Sequence, residues 1–463
     1  MPKKKTALTI EERLQQALVP AEEQPYEVPE NWVWVRLGAF AETISKGTTP
    51  KGGSAAYVDE GVNFLRVENL TSEGYISHSK ITHITEEMHE NYLKRSILKA
   101  NDLLISIAGS LGKSAIVREC DLPINTNQAI AFVRLFADKI DVNYIRNTIE
   151  SPLINSVLTK QTKVTSIPNL TLEIIKDCPI PLPPLSEQQR IVERIEELFA
   201  KLDEAKERLQ EVADSFAVRK AAILHKAFTG ELTQQWRREN GVSDESWEEK
   251  NLGDVCSKIT DGTHNSPTNS LTGEYMYVTA KNIKDTGIDL SNITYVTKEI
   301  HKEIYSRCDV VYGDVLYIKD GATAGIATIN TLKEEFSMLS SVALIRADLK
   351  LATNEFIKTY LNYRKKEILK NISGSAITRL TLSKIKNIAI SLPTLPEQHE
   401  IVRLIDDLLA RERSAQQAAD QALASIELMK KSILARAFRG ELGTNKASEA
   451  SALELLRQVL AEN

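Results

Sequence analysis

Apolar residues recur at alternating steps of four and three in two long stretches of the chain. This spacing lines one face of an α-helix and is typical of a coiled-coil seam. The pattern therefore predicts two long helices, each with an apolar stripe that needs a partner. The first seam runs Ile191, Ile195, Leu198, Leu202, Ala205, Leu209, Val212 and Phe216. The second runs Ile401, Ile405, Leu408, Ala415, Ala419, Ala422, Ile426, Met429 and Ile433, with Glu412 interrupting it.

Prolines mark where each predicted helix begins, because proline lacks an N–H group and clashes inside a helix. They stand at 181, 183 and 184 before the first helix and at 393 and 396 before the second. Ser186 is a candidate N-cap of the first helix, and Gly230 and Gly440 fit the ends of the two helices. About forty residues at 1.5 Å per residue predict a length of ~60 Å.

The two helices are copies of each other. Pro181–Ile195 reads PLPPLSEQQRIVERI, and Ser391–Ile405, which lies 210 positions later, reads SLPTLPEQHEIVRLI. The copies also end alike, in ILHKAFTGEL and ILARAFRGEL, with no insertion between them. Two amphipathic helices in separate cores are one interpretation. The matched length and phase favour the other, in which the helices pair with each other.

The segments before the two helices also resemble each other. VRLGAFAETISKGTTP (35–50) resembles KNLGDVCSKITDGTHN (250–265), and NDLLISIAGSLGKSAIV (101–117) resembles GDVLYIKDGATAGIATI (313–329). Short alternating apolar runs separated by Gly, Asn and Thr predict strands and turns, whereas 142–159 and 354–371 read as helices. The predicted fold is thus α+β: two tandem α+β domains and two long helices that pair with each other. Antiparallel pairing of these helices would give the duplication pseudo-two-fold symmetry.

These patterns divide the chain into six predicted parts. They are an N-terminal segment (1–31), a first α+β domain (32–183), a first spacer helix (184–235), a second α+β domain (236–393), a second spacer helix (394–444) and a C-terminal tail (445–463).

The composition is that of an ordinary soluble protein, with 463 residues, 42% hydrophobic and 26% charged. No run approaches the roughly 18 apolar residues of a membrane span, and the N-terminus does not resemble a secretory signal, so we expect a cytoplasmic protein. The four cysteines form no Cys-x-x-Cys pair, which argues against a disulfide framework or a structural zinc site. The net charge of −5 does not by itself point to nucleic acid.

Motifs that carry catalysis are missing from the sequence. Gly-Lys-Ser at 112–114 resembles a phosphate-binding loop, but Ile107 occupies the position of its first glycine. The sequence contains no dinucleotide fingerprint, amino-methyltransferase motif, zinc-protease motif or nucleophile elbow. Asp102 and Asp314 recur before apolar strands, where a turn role is expected. The chain is therefore predicted to be no enzyme and to hold no metal or cofactor.

The motifs PPLSEQQRIVERI, AFTGEL, LPEQHEIVRLI and AFRGEL resemble those of the DNA-specificity subunit of type I restriction–modification enzymes, and the resemblance extends from about Trp32 to Leu442. It implies two target-recognition domains, each reading one half of a bipartite asymmetric site in double-stranded DNA. It also implies that the two long helices pair as an antiparallel coiled coil, which sets the gap between the half-sites. The implied partners are two modification subunits, which carry S-adenosylmethionine and methylate adenine, and two restriction (motor-nuclease) subunits.

Two alternatives remain. One is a scaffold protein whose helices assemble partners and whose domains bind protein. The other is the specificity half of a single-chain restriction–methylase, which the absence of methylase motifs argues against. Because each domain is roughly charge-balanced, we expect the chain alone to bind DNA weakly.

Turns between the predicted strands supply the candidate DNA contacts. Arg or Lys suits guanine, Asn suits adenine, and Thr can contact the thymine methyl group. The candidates are Lys46, Thr48, Thr49, Arg66, Asn69, Lys113 and Lys163 in the first domain, and Thr260, Thr263, His264, Asn265, Lys281, Asn282, Lys319 and Arg379 in the second. Phe228 and Phe438, near the ends of the helices, either pack within the chain or anchor a partner subunit.

Overall fold

The computed structural model describes residues 9–136, 139–160, 169–370 and 380–462. It divides into two compact units. Unit 1 comprises Met1–Leu209 and Gln421–Asn463, and unit 2 comprises Gln210–Asp420. Each long helix therefore contributes one half to each unit.

Unit 1 contains nine strands: β1 Val33–Arg36, β2 Ala41–Lys46, β3 Val62–Leu65, β4 Thr82–Ile84, β5 Leu103–Ser106, β6 Ser114–Ile116, β7 Ile124–Thr126, β8 Ile130–Leu135 and β9 Pro179–Leu182, counted over the described ranges. Its helices are α1 Ile10–Ala17, α2 Val142–Glu150, α3 Pro152–Lys160, α4 Leu172–Lys176 and the first part of α5 Leu185–Phe228.

Unit 2 follows with α6 Gln234–Asn240 and the strands β10 Glu248–Asn251, β11 Cys256–Asp261, β12 Tyr275–Val278, β13 Ile283–Lys284, β14 Gly287–Ile288, β15 Thr294–Val296, β16 Val315–Ile318, β17 Ala327–Ile329, β18 Phe336–Met338, β19 Val342–Ala347 and β20 Ala389–Leu392. The other α-helices formed by the described residues are α7 Lys298–Arg307, α8 Asn354–Lys370, α9 Leu382–Lys386, α10 Leu395–Ala437 and, in unit 1, α11 Ala452–Glu462.

The two units repeat one sheet topology. Unit 1 has a four-stranded sheet in the order β2-β8-β5-β6, a three-stranded sheet β4-β3-β7 and the pair β1-β9. Unit 2 has β11-β19-β16-β17, β15-β12-β18 and β10-β20 in the same arrangement, with the hairpin β13-β14 added. The prediction of two tandem α+β domains is confirmed.

The central strands β5 and β16 are buried on both faces, which is why they read as unbroken apolar runs. In β5, Leu103 and Ile105 belong to the core that contains Ile145 of α2, whereas Leu104 packs with Leu65 and Ile124 of the smaller sheet. In unit 2, Val315 and Tyr317 likewise belong to one core and Leu316 and Ile318 to another. Each domain is therefore layered helix, sheet, sheet.

The helix predicted over 142–159 is two helices, α2 and α3, because Pro152 interrupts it. Proline disfavours helical geometry at the preceding residue and cannot donate to the turn before it, and Ser151 has an extended backbone. The corresponding stretch in unit 2 contains no proline and forms the single helix α8.

The long helices pair in antiparallel fashion within each unit. In unit 1, Lys430 Nζ lies 2.5 Å from Asp203 Oδ1, and Lys206 Nζ lies 2.9 Å from Glu427 Oε1. In unit 2, Arg219 Nε lies 2.9 Å from Glu412 Oε2. Each step forward along α5 is thus matched by a step backward along α10, and the predicted antiparallel coiled coil is confirmed.

Most of the predicted seam is covered. Ile191, Ile195, Phe216, Ile401, Ile405, Ala419 and Ile426 are buried, and Leu198, Leu202, Ala205, Leu209, Leu408, Ala422 and Ile433 are half-buried. The interrupting Glu412 stays at the seam because Arg219 pairs with it, and the Arg219 guanidinium also lies 4.5 Å from the Phe216 ring.

Three predicted seam positions are wrong, because Val212, Ala415 and Met429 are exposed. On α5 the half-buried Ala213 replaces Val212, so two steps of four follow each other and the heptad phase is interrupted. On α10 Lys430 replaces Met429: its stem is largely covered, and its ammonium lies 5.1 Å from the Phe199 ring.

A buried glutamate fixes the beginning of each long helix. Glu187 accepts hydrogen bonds from Trp32 Nε1 at 2.8 Å and from Asn445 Nδ2 at 2.9 Å. Glu397 accepts them from three residues of unit 2, Thr233, Arg237 and Trp247, at 2.7, 2.6 and 3.1 Å. In each unit the donors come from the tryptophan before the first strand and from the chain just beyond the end of the other helix. We call this contact the joint.

The glutamine that follows each of these glutamates completes the joint. Gln188 Nε2 donates to Pro183 O, and its Oε1 accepts the N–H of Asp141, which precedes α2. Gln398 makes the same bonds to Pro393 O and to the N–H of Thr353 before α8. The repeated Leu-x-Glu-Gln motif therefore ties helix and domain together.

The predicted cap role of Ser186 is wrong, because α5 already begins at Leu185. The N–H groups of Glu187 and Gln188 bond to Pro184 O, so the first turn is closed without a side-chain cap. Ser186 Oγ instead donates to Glu449 Oε1 at 3.0 Å.

The tail and the N-terminal segment complete the core of unit 1, which the sequence did not reveal. Ala452, Leu456 and Val459 of α11 are fully buried in the same core as Leu14 and Ala17 of α1. Arg190 makes a two-pronged ion pair with Glu449, at 3.0 and 2.7 Å.

The two joints should respond differently when the negative charge of the buried glutamate is removed. Burial raises the pKa of Glu187, whose hydrogen-bond donors are neutral, whereas Glu397 compensates the buried Arg237. Glu397→Gln should lower the free energy of unfolding of unit 2 by ~3 kcal/mol, because it removes the buried anion of Arg237 and leaves only the largely exposed Asp244 to pair with this buried cation. Glu187→Gln should cost unit 1 only ~1 kcal/mol.

Hydrogen exchange of peptides from each unit, followed in increasing urea, measures the two losses separately. Each variant serves as the matched control of the other. Equal losses in the two units would contradict the role given to the Arg237 charge.

Candidate nucleic-acid interface

Three loops meet at one edge of the four-stranded sheet of unit 1. Strand β2 ends at Lys46 opposite Ala131 of β8, and β5 ends at Ser106 opposite Ile130. The N–H of Thr48 then bonds to Thr126 O at 3.0 Å. The loop after β2, the β5–β6 loop and the β7–β8 turn therefore lie together, and we call this surface the loop edge.

Unit 2 has the same loop edge. Strand β11 ends at Asp261 opposite Ala343, and β16 ends at Ile318 opposite Val342. The N–H of Thr263 bonds to Met338 O, and the N–H of Lys319 bonds to Ser341 O, each at 2.9 Å.

The glycine of the Gly-Thr pair recurs in both copies for a steric reason. A Cβ on Gly47 would lie 2.1 Å from Thr126 O, and a Cβ on Gly262 would lie 1.9 Å from Met338 O. Backbone atoms cannot yield to such an overlap, so the loop leaves the sheet at a residue without a side chain.

In unit 1 most of the predicted contact residues lie at the loop edge. Lys46 and Lys113 are exposed, Thr49 is half-buried, and Thr48 Oγ1 accepts a hydrogen bond from Arg95 Nε at 3.1 Å. Arg66 follows β3, beside the β7–β8 turn, and pairs with Glu68. Lys163 lies outside the described residues.

In unit 2 the loop after β11 carries three of the eight predicted residues, Thr263, His264 and Asn265. Thr260 is half-buried, and His264, Asn265 and Lys281 are exposed. Thr263 Oγ1 donates to Asn265 O at 3.0 Å and thereby shapes the loop. Arg379 lies outside the described residues.

Asn69 and Asn282, which were predicted to contact bases, make their hydrogen bonds within the chain. Both side chains are buried, and both fold back onto the chain itself. Asn69 Oδ1 accepts the N–H of Arg66, and its Nδ2 donates to Ser77 O. Asn282 makes the same bonds to Thr279 and Asp289. The two asparagines recur because they hold equivalent turns.

The side chain of Lys319, also predicted to contact DNA, is only 3% exposed. Its ammonium lies 3.2 Å from Asp261 Oδ2 and 3.5 Å from Asp320 Oδ2. Lys319 therefore stabilises the buried Asp261 carboxylate and presents no charge to a ligand.

Phe228 and Phe438 pack within the chain, which was one of the two interpretations left open, and neither offers a partner an exposed ring. Phe228 stacks 4.9 Å from the Tyr363 ring and meets Phe356 and Tyr360 edge-on. Phe438 is fully buried, with its ring 5.4 Å from that of Tyr144.

Asp102 and Asp314 hold turns, as predicted, at the beginning of the central strands. Asp102 accepts the N–H of Lys99 at 2.8 Å and two bonds from Arg134. Asp314 does the same with the N–H of Val311 and with Arg346. Burial raises the pKa of Asp102 although Arg134 bonds to it.

Two residues at the loop edges were missed, Arg95 and Arg307. Aligning NDLLIS with GDVLYI pairs them at an offset of 212, and the same offset pairs His89 with His301. Most charged residues around the two arginines differ between the copies, so the local sequences do not match. Only the alignment of the following strands, extended back toward the N-terminus, pairs Arg95 with Arg307.

Over the described ranges, no three His, Cys, Asp or Glu side chains are grouped in a way that suits a metal ion. None of the helices formed by the described residues combines the length and the apolar character needed to cross a membrane.

The chain matches known proteins over most of its length. The model of the type I restriction modification DNA specificity domain matches residues 29–214 and 244–421. The type I restriction enzyme EcoBI specificity subunit of Escherichia coli is 25% identical, over 94% of this chain and 93% of its own. The MjaIX specificity subunit of Methanocaldococcus jannaschii is 22% identical, over 83% and 88%.

Solved structures share the fold. The HsdS subunit of Thermoanaerobacter tengcongensis superposes with a TM-score of 0.64 and 21% identity, covering 90% of this chain and 99% of its own. A chain from a study of complex assembly in a type I R-M system gives a TM-score of 0.66, also at 21% identity, covering 90% and 100%. This chain belongs to the type I restriction–modification DNA specificity family.

Proposed function

We propose that this chain is the DNA-specificity subunit of a type I restriction–modification complex. Its two domains each read one half of a bipartite asymmetric site in double-stranded DNA. The observation that carries the proposal is the duplicated loop edge: one strand order supports it in both units, yet its charged side chains differ. Lys46 in unit 1 corresponds to Asp261 in unit 2, and Ile107 corresponds to Lys319. Two domains that share a fold but carry different loop side chains suit two half-sites of different sequence.

The proposed partners follow from this role. The chain binds DNA together with two modification subunits, which bring S-adenosylmethionine and methylate adenine, and with two restriction subunits that complete the nuclease. It acts in the cytoplasm and contributes no catalytic group of its own. The paired helices α5 and α10 dock the modification subunits and set the gap between the half-sites.

The net charge of −5 agrees with this role if phosphate contacts are shared among subunits. Lys46, Arg95 and Lys113 are exposed at the loop edge of unit 1, so positive charge is concentrated there locally. A few cations neutralise few phosphates, and the affinity of the isolated chain should be low and dependent on salt.

The first prediction is that the chain alone neither binds S-adenosylmethionine nor transfers methyl groups. Calorimetry with the cofactor and a mobility-shift assay on a duplex containing the site test the chain alone and in complex with its modification partner. Site-specific shifts and methylation should require the complex. A complex that assembles but never selects a DNA sequence would favour the scaffold interpretation instead.

The second prediction is modularity. Replacing residues 32–180 with the matching domain of a relative should change one half-site and leave the other intact, because each loop edge is built within one unit. Methylome sequencing of cells carrying the chimera reads both halves at once. The reciprocal replacement in unit 2 is the matched control, and a change in both halves would contradict the two-reader model.

The third prediction concerns the gap. One heptad inserted into each long helix, after Leu209 and after Leu423 at the facing level, keeps the seam in phase and adds ~10.5 Å. The preferred gap should lengthen by about two to three base pairs at ~3.4 Å each. Affinity should fall, because the heads rotate by roughly 100° around the duplex.

Methylation of a substrate library with gaps of varied length measures the preferred spacing. A two-residue insertion at the same points breaks the seam and should abolish assembly. A folded heptad variant that keeps the original gap would mean that the helices do not measure it.

A further inference from the structure

An arginine recurs at the same position of both loop edges. Arg95 lies in the turn 94–96, and Arg307 is the last residue of α7. A histidine six residues earlier fixes each arginine-bearing segment. His89 Nδ1 bonds to Asn125 Oδ1 on β7, and His301 Nδ1 lies 3.1 Å from Ser337 Oγ on β18. The fold therefore delivers one guanidinium to each loop edge by the same route.

The two guanidinium groups have different surroundings. Arg95 Nε donates to Thr48 Oγ1, and its side chain is exposed. Among the described residues no carboxylate forms an ion pair with it. Lys46 and Lys113 are exposed at the same edge. This edge therefore presents exposed positive charge that no carboxylate of the described residues orients.

Arg307 is held in place by a buried carboxylate. Its Nη2 lies 2.5 Å from Asp261 Oδ1 and 3.1 Å from His264 Nε2. Asp261 is 1% exposed and also pairs with Lys319, whose other neighbour is Asp320. Half of the Arg307 side chain remains exposed. The charges of this cluster are balanced, so it adds little non-specific attraction, but the two contacts of Nη2 orient the guanidinium.

We propose that the two arginines contact DNA with different tasks, Arg95 binding a backbone phosphate and Arg307 reading the O6 and N7 edge of a guanine. This division rests on the proposed function. A base edge must be met in one orientation, and a guanidinium oriented in advance loses less entropy when it forms two parallel bonds. Phosphates are identical at every step of the duplex, so a mobile cation suffices for them and carries no sequence information.

The test uses the complex with its modification partner and duplexes carrying the site found by methylome sequencing, with each base pair substituted in turn. Arg307→Ala should relax discrimination at one G·C pair of one half-site by about tenfold to a hundredfold and leave the other half-site unchanged. Arg307→Lys keeps the charge but loses the planar fork, so it should relax the same position without changing the salt dependence.

Arg95→Ala should instead weaken binding to all duplexes alike and reduce the slope of log affinity against log salt by ~1. Arg238→Ala removes an exposed positive charge from α6, away from the loop edge, and is the matched control that should change neither quantity. Circular dichroism melting checks that each variant is folded. The Lys variant keeps the test decisive if Arg307→Ala destabilises the Asp261 cluster.

Uniform weakening by folded Arg307 variants, base-specific relaxation by Arg95→Ala, or no effect of either would overturn the division. Each of these outcomes leaves the proposed function intact as long as the wild-type complex methylates one bipartite site. A wild-type complex with no sequence preference would overturn the proposed function itself.

Discussion

Each unit depends on one carboxylate buried where a long helix begins. Glu187 and Glu397 have no exposed surface, and a charge removed from water is tolerated only when hydrogen bonds replace that water. The donors are drawn from the tryptophan before the first strand and from the chain beyond the other helix. The bonds to Glu187 and to Oε1 of Glu397 thus require the domain and both helices to be in place at once. This explains why Leu-x-Glu-Gln and Gly-Glu-Leu occur together, twice.

The joints and the loop edges show opposite behaviour between the two copies. At the joints, Glu-Gln and the tryptophan are repeated with the same bonds. At the loop edges the backbone path is repeated, through Gly47 and Gly262, while the side chains that follow the strands change from Lys46 to Asp261. A frame that does not depend on the loop side chains allows them to differ without loss of the fold.

Much of the architecture could be predicted because it follows from periodicity and repetition. The heptad phase predicted that the two long helices pair, and the apolar runs of β5 and β16 predicted strands. The errors arose where one side chain substitutes for another: Lys430 covers the seam that Met429 was expected to fill, and Ala213 replaces Val212.

The contact residues were harder to predict than the fold. Asn69 and Lys319 have side chains suited to DNA contacts, but both are buried. Asn69 bonds to backbone groups of its own chain, and Lys319 pairs with the Asp261 carboxylate. Arg95 lies far in sequence from the Thr48 hydroxyl it meets, and only folding brings the two together. The role of α11 in the core of unit 1 was hidden for the same reason, since its partners in α1 lie at the other end of the sequence.

The packing of α11 into the core of unit 1 has a consequence for biosynthesis. Unit 2 is a continuous stretch, Gln210–Asp420, whereas unit 1 needs residues on both sides of it. On the ribosome, the domain that is translated second can fold as soon as it emerges, because its joint is already complete. The domain that is translated first must wait for Asn445 and α11. A nascent chain released before Asn445 and α11 are translated would therefore lack a complete unit 1, although its unit 2 could already have folded.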